Sequence, residues 1–235
     1  MDFYSITDRG KIRKTNEDSI CVESRNGFYM AAVADGLGGE NAGDYASSET
    51  VNSLKIFFSE NRIPNEKNTA ELVRQISSKI YNLGLSKKNL NGMGTTLTAF
   101  FTDSKKLVWV HSGDSRLWLF RKNKLIQITN DHRFIQDLID DHTISQEEAD
   151  VHPMKNLLDQ CVGTPECAPD TGTLNLETGD FIILSSDGLH DFISGDQIQK
   201  TIKDSLSPEI ICKNLLNLAL EVGGKDNISV ICSKV

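Results

Sequence analysis

Two features that would narrow function quickly are missing from this 235-residue sequence: a long apolar run and a paired-cysteine motif. No stretch approaches the roughly 18 to 20 apolar residues that a membrane-spanning helix needs. The opening M-D-F-Y-S-I-T-D also lacks the basic and then apolar pattern of a secretory signal. The five cysteines, Cys21, Cys161, Cys167, Cys212 and Cys232, are scattered with no C-x-x-C spacing. That excludes a ready disulfide framework or thiolate zinc site and fits reduced intracellular thiols. Positive charge is scarce: 25 Lys and Arg face 33 Asp and Glu for a net charge of -8, and the densest basic clusters are Lys11-Ile12-Arg13-Lys14 and Lys105-Lys106. Such a chain is repelled by nucleic acid and by anionic lipid. The expectation is a cytoplasmic protein with no nucleic-acid and no membrane partner.

What the sequence does hold is a series of short segments rich in branched and aromatic residues. They run over Ser19 to Glu23, Phe28 to Ala34, Thr95 to Thr102, Leu107 to His111, Arg116 to Phe120, Leu125 to Thr129, Thr173 to Leu176, Asp180 to Ser185 and Ile228 to Ser233. Turn-like links such as Arg121-Lys122-Asn123-Lys124 and Glu177-Thr178-Gly179-Asp180 predict antiparallel neighbours. Helical periodicity marks Tyr45 to Asn61, Thr69 to Leu85 and Pro208 to Val222, with Ile210, Ile211, Leu215, Leu218 and Val222 on one stripe of the last. Strand runs interrupted by helices predict an α+β fold in which helices cover antiparallel sheets. With 38% apolar residues and no low-complexity linker, residues 1–235 are read as a single domain. Residues 130–163 differ in texture, polar and short-helical, with Ser145 and Glu148 spaced as a capping box. They read as an excursion inserted between two strands. His132, His142 and His152 recur every ten residues, a spacing that suits neither a helical face nor H-E-x-x-H, and are read as surface residues of that excursion.

Two strands end alike, in V-A-D-G-L (Asp35-Gly36-Leu37) and in S-S-D-G-L (Asp187-Gly188-Leu189). Other acids also sit at strand boundaries: Asp18 before a strand, Asp114 in the S-G-D-S-R turn, and Asp226 just before the last strand. An isolated Asp-Gly is most often only a turn. Five acids at strand ends are another matter, because strands lying side by side would bring them to one edge, where they repel unless a cation neutralises them. An oxygen-only donor set suits Mg²⁺ or Mn²⁺, whereas Zn²⁺ would ask for His and Cys. Gly36, without a Cβ, lets the backbone approach an ion and offer its carbonyl. A pair of such ions would turn a bridging water into hydroxide and hold an in-line attack on phosphorus. Arg13, five residues before Asp18, supplies a two-pronged partner for phosphate oxygens. A dinucleotide reading of G-L-G-G-E-N is set aside, since Asn41 stands where the last glycine belongs and Asp35 repels a pyrophosphate.

Taken together, eight ordered pieces resemble the metal-dependent protein phosphatases, the PPM or type 2C serine/threonine phosphatase family, in compact bacterial form. They are D-R-G-K-I-R-K-T-N-E-D-S (Asp8 to Ser19), V-A-D-G-L-G-G (Val33 to Gly39), M-G-T-T-L (Met93 to Leu97), S-G-D-S-R (Ser112 to Arg116), I-T-N-D-H (Ile128 to His132), I-S-Q-E-E-A-D-V-H-P (Ile144 to Pro153), L-S-S-D-G-L-H-D (Leu184 to Asp191) and G-G-K-D-N-I-S-V-I (Gly223 to Ile231). The resemblance implies a four-layer α-β-β-α sandwich of two antiparallel sheets flanked by helix pairs, with a binuclear Mn²⁺ or Mg²⁺ centre at one end. It implies that Asp35 bridges both ions, that Gly36 offers its carbonyl, and that Asp187 and Asp226 complete the coordination of the second ion. Glu17 and Asp18 would be outer ligands acting through water, and Arg13 the phosphate-binding arginine. Asp114 and Asp191, with Asp187, match the positions of a third, weaker metal, and residues 130–163 match the family's flap. The Met93 to Thr96 stretch resembles a structural element.

The sequence departs from the family at two places. Leu37 stands where many eukaryotic relatives carry a histidine proposed as proton donor, which leaves water at the metal as the donor here. The N-L-L-D-Q-C-V-G run, Asn156 to Gly163, departs from the basic residue and alanine expected before the glycine. No C-x₅-R loop is present, which argues for direct attack by hydroxide. The expected activity is hydrolysis of phosphoserine and phosphothreonine in phosphorylated proteins, opposing a bacterial serine/threonine kinase, by a monomer. A phosphatase-like binding module without turnover is one alternative. An enzyme for one regulatory protein or for a small phosphoester is another.

Overall fold

The structure is a computed structural model and describes residues 1–38, 42–60, 63–154, 156–205 and 207–235. Strands β1 (Asp2–Asp8), β2 (Ser19–Arg25), β3 (Phe28–Ala34) and the two-residue β4 (Gly36–Leu37) lead into helices α1 (Ala42–Ser59) and α2 (Glu66–Ser86). Next come β5 (Gly94–Thr95), β6 (Leu97–Thr102), β7 (Lys106–Ser112), β8 (Arg116–Arg121) and β9 (Lys124–Gln127). The excursion carries α3 (Phe134–Asp140) and α4 (Gln146–Asp150), the latter capped by Ser145 and Glu148 as their spacing predicts. β10 (Asp170–Asn175), β11 (Phe181–Ser185), the single turn α5 (Asp187–His190), α6 (Gly195–Lys203), α7 (Pro208–Glu221) and β12 (Ile228–Lys234) complete the chain.

The strands form two five-stranded sheets, ordered β1-β12-β11-β8-β9 and β10-β7-β6-β3-β2, and β4 pairs with β5 beside them. All these pairings are antiparallel. Three separate apolar cores make the architecture four layers deep. Ala31, Val33, Phe100, Leu117, Ile182 and Leu184 fill the space between the sheets. Met30, Ala32 and Ala34, on the opposite face of β3, pack with Val51, Leu54, Val73 and Ile80 of α1 and α2. Phe181 and Ile183, the alternate residues of β11, pack with Ile198, Ile202, Ile211 and Leu215 of α6 and α7. Covering on both faces explains why β3 and β11 read as unbroken apolar runs rather than as alternating ones. Each fully buried aliphatic side chain here contributes roughly 1.5 to 3 kcal/mol.

The α7 stripe differs from the expected one. The buried set is Pro208, Ile211, Cys212, Leu215, Leu216 and Ala219, while Ile210 and Val222 are exposed. Small Cys212 and Ala219 let the helix lie close to β1 and β12, and Ile210 and Val222 fall outside the buried face.

Candidate active site

Antiparallel order places the C-terminal ends of β3, β7 and β11 and the N-terminal ends of β2, β8 and β12 at the same end of the two sheets. Ser19 lies opposite Ala34, Leu97 opposite Ser112, and Ser185 opposite both Arg116 and Val230. Asp18, Asp35, Asp114, Asp187 and Asp226 therefore meet along one rim, as their placement at strand boundaries predicts. Arg13, in the loop between β1 and β2, reaches that rim and donates from Nη2 to Asp226 Oδ2 at 2.7 Å while remaining 53% exposed.

The two Asp-Gly-Leu turns owe their glycines to close backbone approach. A Cβ on Gly36 would lie 2.6 Å from the Glu17 carbonyl oxygen and collide with the backbone of Gly43 at the start of α1. A Cβ on Gly188 would run into the carbonyl oxygen of Asn227. Each glycine thus presses a carboxylate-bearing turn against a neighbouring segment that carries another acid.

Several side chains that hold the acids in place escaped the sequence reading. Asp18 is buried and accepts from Ser186 Oγ at 2.9 Å and from Ser229 Oγ at 2.6 Å, so hydroxyls from the turn after β11 and from β12 grip a carboxylate just ahead of β2. Asn227 accepts from the Glu17 amide at 2.9 Å and donates to the carbonyls of Arg9 and Thr15, both at 2.9 Å. It fixes the loop carrying Arg13 and Glu17 to the last strand. Behind Asp35, the Thr96 hydroxyl accepts from the Asp35 amide at 3.0 Å and lies 2.7 Å from Ser115 Oγ. Serine beside the S-S-D-G-L and D-N-I-S-V motifs was visible, but hydroxyl partners separated by 168 and 211 residues leave no local signal.

Burial and mutual repulsion raise the proton affinity of Asp35, Asp187 and Asp18. Asp35 is pushed well above the ordinary carboxylate range by burial and then by Asp18, Asp187, Asp114 and Asp226. Asp187 is pushed up by burial and then by Asp114, Asp191 and Asp226. Burial lifts Asp18 to about 6 although the two serine hydroxyls work in the other direction. Glu17 is also raised, by burial first. Among the described residues, no three His, Cys, Asp or Glu side chains stand as a finished cage for an ion. Yet Oδ1 of Asp18 and Oδ1 of Asp187 are buried without a hydrogen-bond partner, a costly state for a carboxylate oxygen. Crowded, oxygen-only and under-satisfied, the set of Asp18, Asp35, Asp187 and Asp226 fits a hard divalent cation.

Asp114 and Asp191 have different company. Arg133, from the excursion, donates from Nε to Asp114 Oδ2 at 2.8 Å and from Nη2 to both Asp191 oxygens at 3.0 Å. His132 also departs from expectation. It is buried, its ring lies 4.7 Å from that of His111, and it accepts from the Gly113 amide through Nδ1 at 3.2 Å. It braces the turn that carries Asp114, whereas His142 is exposed as expected. Of the G-L-G-G-E-N stretch, Gly39, Glu40 and Asn41 lie outside the described residues. Beside Leu37 opens a cleft of about 570 Å³ whose walls include Met93, Leu157 and Cys161.

An acid-lined rim closing a four-layer α-β-β-α sandwich, with an arginine at its mouth, is the build of the metal-dependent phosphatases. More narrowly, the chain belongs to the protein phosphatase 2C family, whose sequence model matches residues 11–213. It is 34% identical over 236 residues to the protein phosphatase PhpP of Streptococcus pneumoniae, covering 98% of this chain and 96% of that one. The crystal structure of the Mycobacterium tuberculosis serine/threonine phosphatase PstP/Ppp superposes with a TM-score of 0.90 at 34% identity, covering 99% of this chain and 97% of the other. The catalytic domain of PstP in complex with two manganese ions gives a TM-score of 0.89 at 33% identity over 99% of this chain and 96% of the other.

Proposed function

We propose that the chain is a serine/threonine protein phosphatase that cleaves phosphoserine and phosphothreonine by direct attack of water on phosphorus. The observation that carries this reading is the meeting of Asp18, Asp35, Asp187 and Asp226 at one rim, two of them with an orphaned buried oxygen, beside the exposed fork of Arg13. Asp35, the Gly36 carbonyl, Asp187 and Asp226 would hold a pair of Mn²⁺ or Mg²⁺ ions, with Glu17 and Asp18 behind them. When bound, the cations supply the Lewis acidity that lets water attack a phosphate ester at neutral pH.

The chain's own groups do the rest. Arg13 grips two non-bridging oxygens of the phosphoryl group and orients it for in-line displacement. Ser186, Ser229 and Asn227 keep the acids of the first and last strands in register. Leu37 has no acidic proton to donate, so water protonates the departing serine or threonine oxygen. A cysteine mechanism is disfavoured, because burial raises the Cys161 thiol to about 11, far from thiolate at neutral pH. In this reading residues 1–235 act as one catalytic domain with 130–163 as its flap. Phosphoproteins made by a serine/threonine kinase are the substrates, with no nucleic-acid or membrane partner. The enzyme works as a monomer in the cytoplasm, in keeping with five free thiols.

Phosphate release from a phosphothreonine peptide, with and without Mn²⁺, tests the proposal. Release should require the metal and exceed that from para-nitrophenyl phosphate in kcat/KM. A chain that releases no phosphate from either substrate in Mn²⁺ is a binding module instead.

A further inference from the structure

We propose that Arg133 is a built-in cation that stands in place of a third metal ion at Asp114 and Asp191. The proposal rests on reading the rim as a two-ion phosphatase site. Asp114 and Asp191 face each other across the β7–β8 turn and the end of α5, and the Arg133 guanidinium lies between them. It bonds Asp114 through Nε at 2.8 Å and both Asp191 oxygens through Nη2 at 3.0 Å, and it comes within 4.0 Å of Asp187 Oδ2. Its side chain is only 12% exposed. A planar, permanently charged fork satisfies two carboxylates at once, in the manner that a divalent ion would.

Of the other carboxylates nearby, Asp131 lies 4.0 Å from Arg133 Nε but has a closer partner of its own. Asp131 is gripped by Arg116, with Nε on Oδ1 at 2.8 Å and Nη2 on Oδ2 at 2.6 Å. The guanidinium is charged at any accessible pH and lies within ion-pair distance of Asp114, Asp191, Asp187 and Asp131. A cation entering between Asp114 and Asp191 must therefore expel a buried arginine and leave it without its partners. Arg133 thereby ties the excursion to the rim, and within the excursion it pairs with Leu158 while Phe134 N donates to the Leu157 carbonyl at 2.9 Å.

Counting Mn²⁺ ions decides the matter. Bound metal is read from the EPR signal of the unbound ion, up to millimolar manganese, for the unaltered chain, Asp191→Asn, Arg133→Ala and the double variant, with far-UV circular dichroism to establish folding. The unaltered chain and Asp191→Asn should both saturate at two ions, Arg133→Ala at three, and the double variant at two again. A third ion on the unaltered chain that disappears in Asp191→Asn would overturn the proposal, as would a folded Arg133→Ala that stops at two. Should Arg133→Ala fail to fold, the first pair alone decides: equal counts uphold the proposal and a drop refutes it. An unaltered chain that binds no manganese would overturn the two-ion reading and this proposal with it.

Discussion

Asp187 combines an orphaned oxygen, partial burial and three like-charged neighbours, so replacing it with a neutral isostere separates stability from activity. Asp187→Asn should lower kcat/KM by about 10²-fold or more, the scale set by loss of one preorganised electrostatic contact. The metal-free melting temperature should not fall, since the change removes repulsion, but the rise in melting temperature on adding Mn²⁺ should shrink. Thermal melts with and without Mn²⁺ check both, and a full metal-induced rise in the variant would remove Asp187 from the ligand set. Arg13 has a different role. Arg13→Ala should raise KM for a phosphothreonine peptide by about 10-fold or more, the scale of one charge-assisted contact. Steady-state kinetics at saturating Mn²⁺ would show it, and an unchanged KM would place phosphate recognition elsewhere.

At the scale of the element, the turns carrying the acids are held by steric fit as much as by hydrogen bonds. Gly188→Ala forces a methyl group into the Asn227 carbonyl, and overpacking of this kind costs about 1 to 3 kcal/mol. Urea denaturation should show that loss, together with weaker Mn²⁺ binding as α5 shifts away from Asp226; a neutral result would mean that the turn yields freely. These elements also show what could be read in advance. β3 begins and ends where its apolar run does, and α4 starts at the Ser145 cap, because both signals are local. β1 was not foreseen: D-F-Y-S-I-T-D is unremarkable until β12, more than 200 residues later, supplies its partner. The rim acids were legible because each lies next to a strand that could be recognised. Ser186, Ser229, Asn227 and Arg133 were not, since their partners are fixed only by tertiary packing. α6 was overlooked for its short length, although Ser194 and Gln197 spell a capping box.

Across the whole molecule, a buried imidazole links stability to pH. His111 in β7 donates from Nε2 to the Asn130 carbonyl at 2.9 Å, since a carbonyl can only accept, and Thr98 Oγ1 lies 2.8 Å from its Nδ1. Burial first, and then His132, lower it from 6.5 to about 4, with the Asn130 carbonyl, Asp131 and Asp170 opposing the shift. Between those values the unfolded chain binds more protons than the folded one. This contribution is therefore complete above the unfolded pKa and is lost as pH falls through the folded one, on the order of 3 kcal/mol. The stability difference between the unaltered chain and His111→Gln, measured in urea from pH 7 to pH 4, should narrow by that amount, whereas a difference that is flat with pH would refute the assignment.

The pairing of β1 with β12, from Asp2 opposite Lys234 to Asp8 opposite Ile228, joins segments more than 200 residues apart. Asp226 and Asn227 arrive with that same final strand. During synthesis, then, the rim stays unfinished until Asp226 and Asn227 have been made and β12 has paired with β1. Completing the site therefore calls for a long-range closure and not for local folding alone.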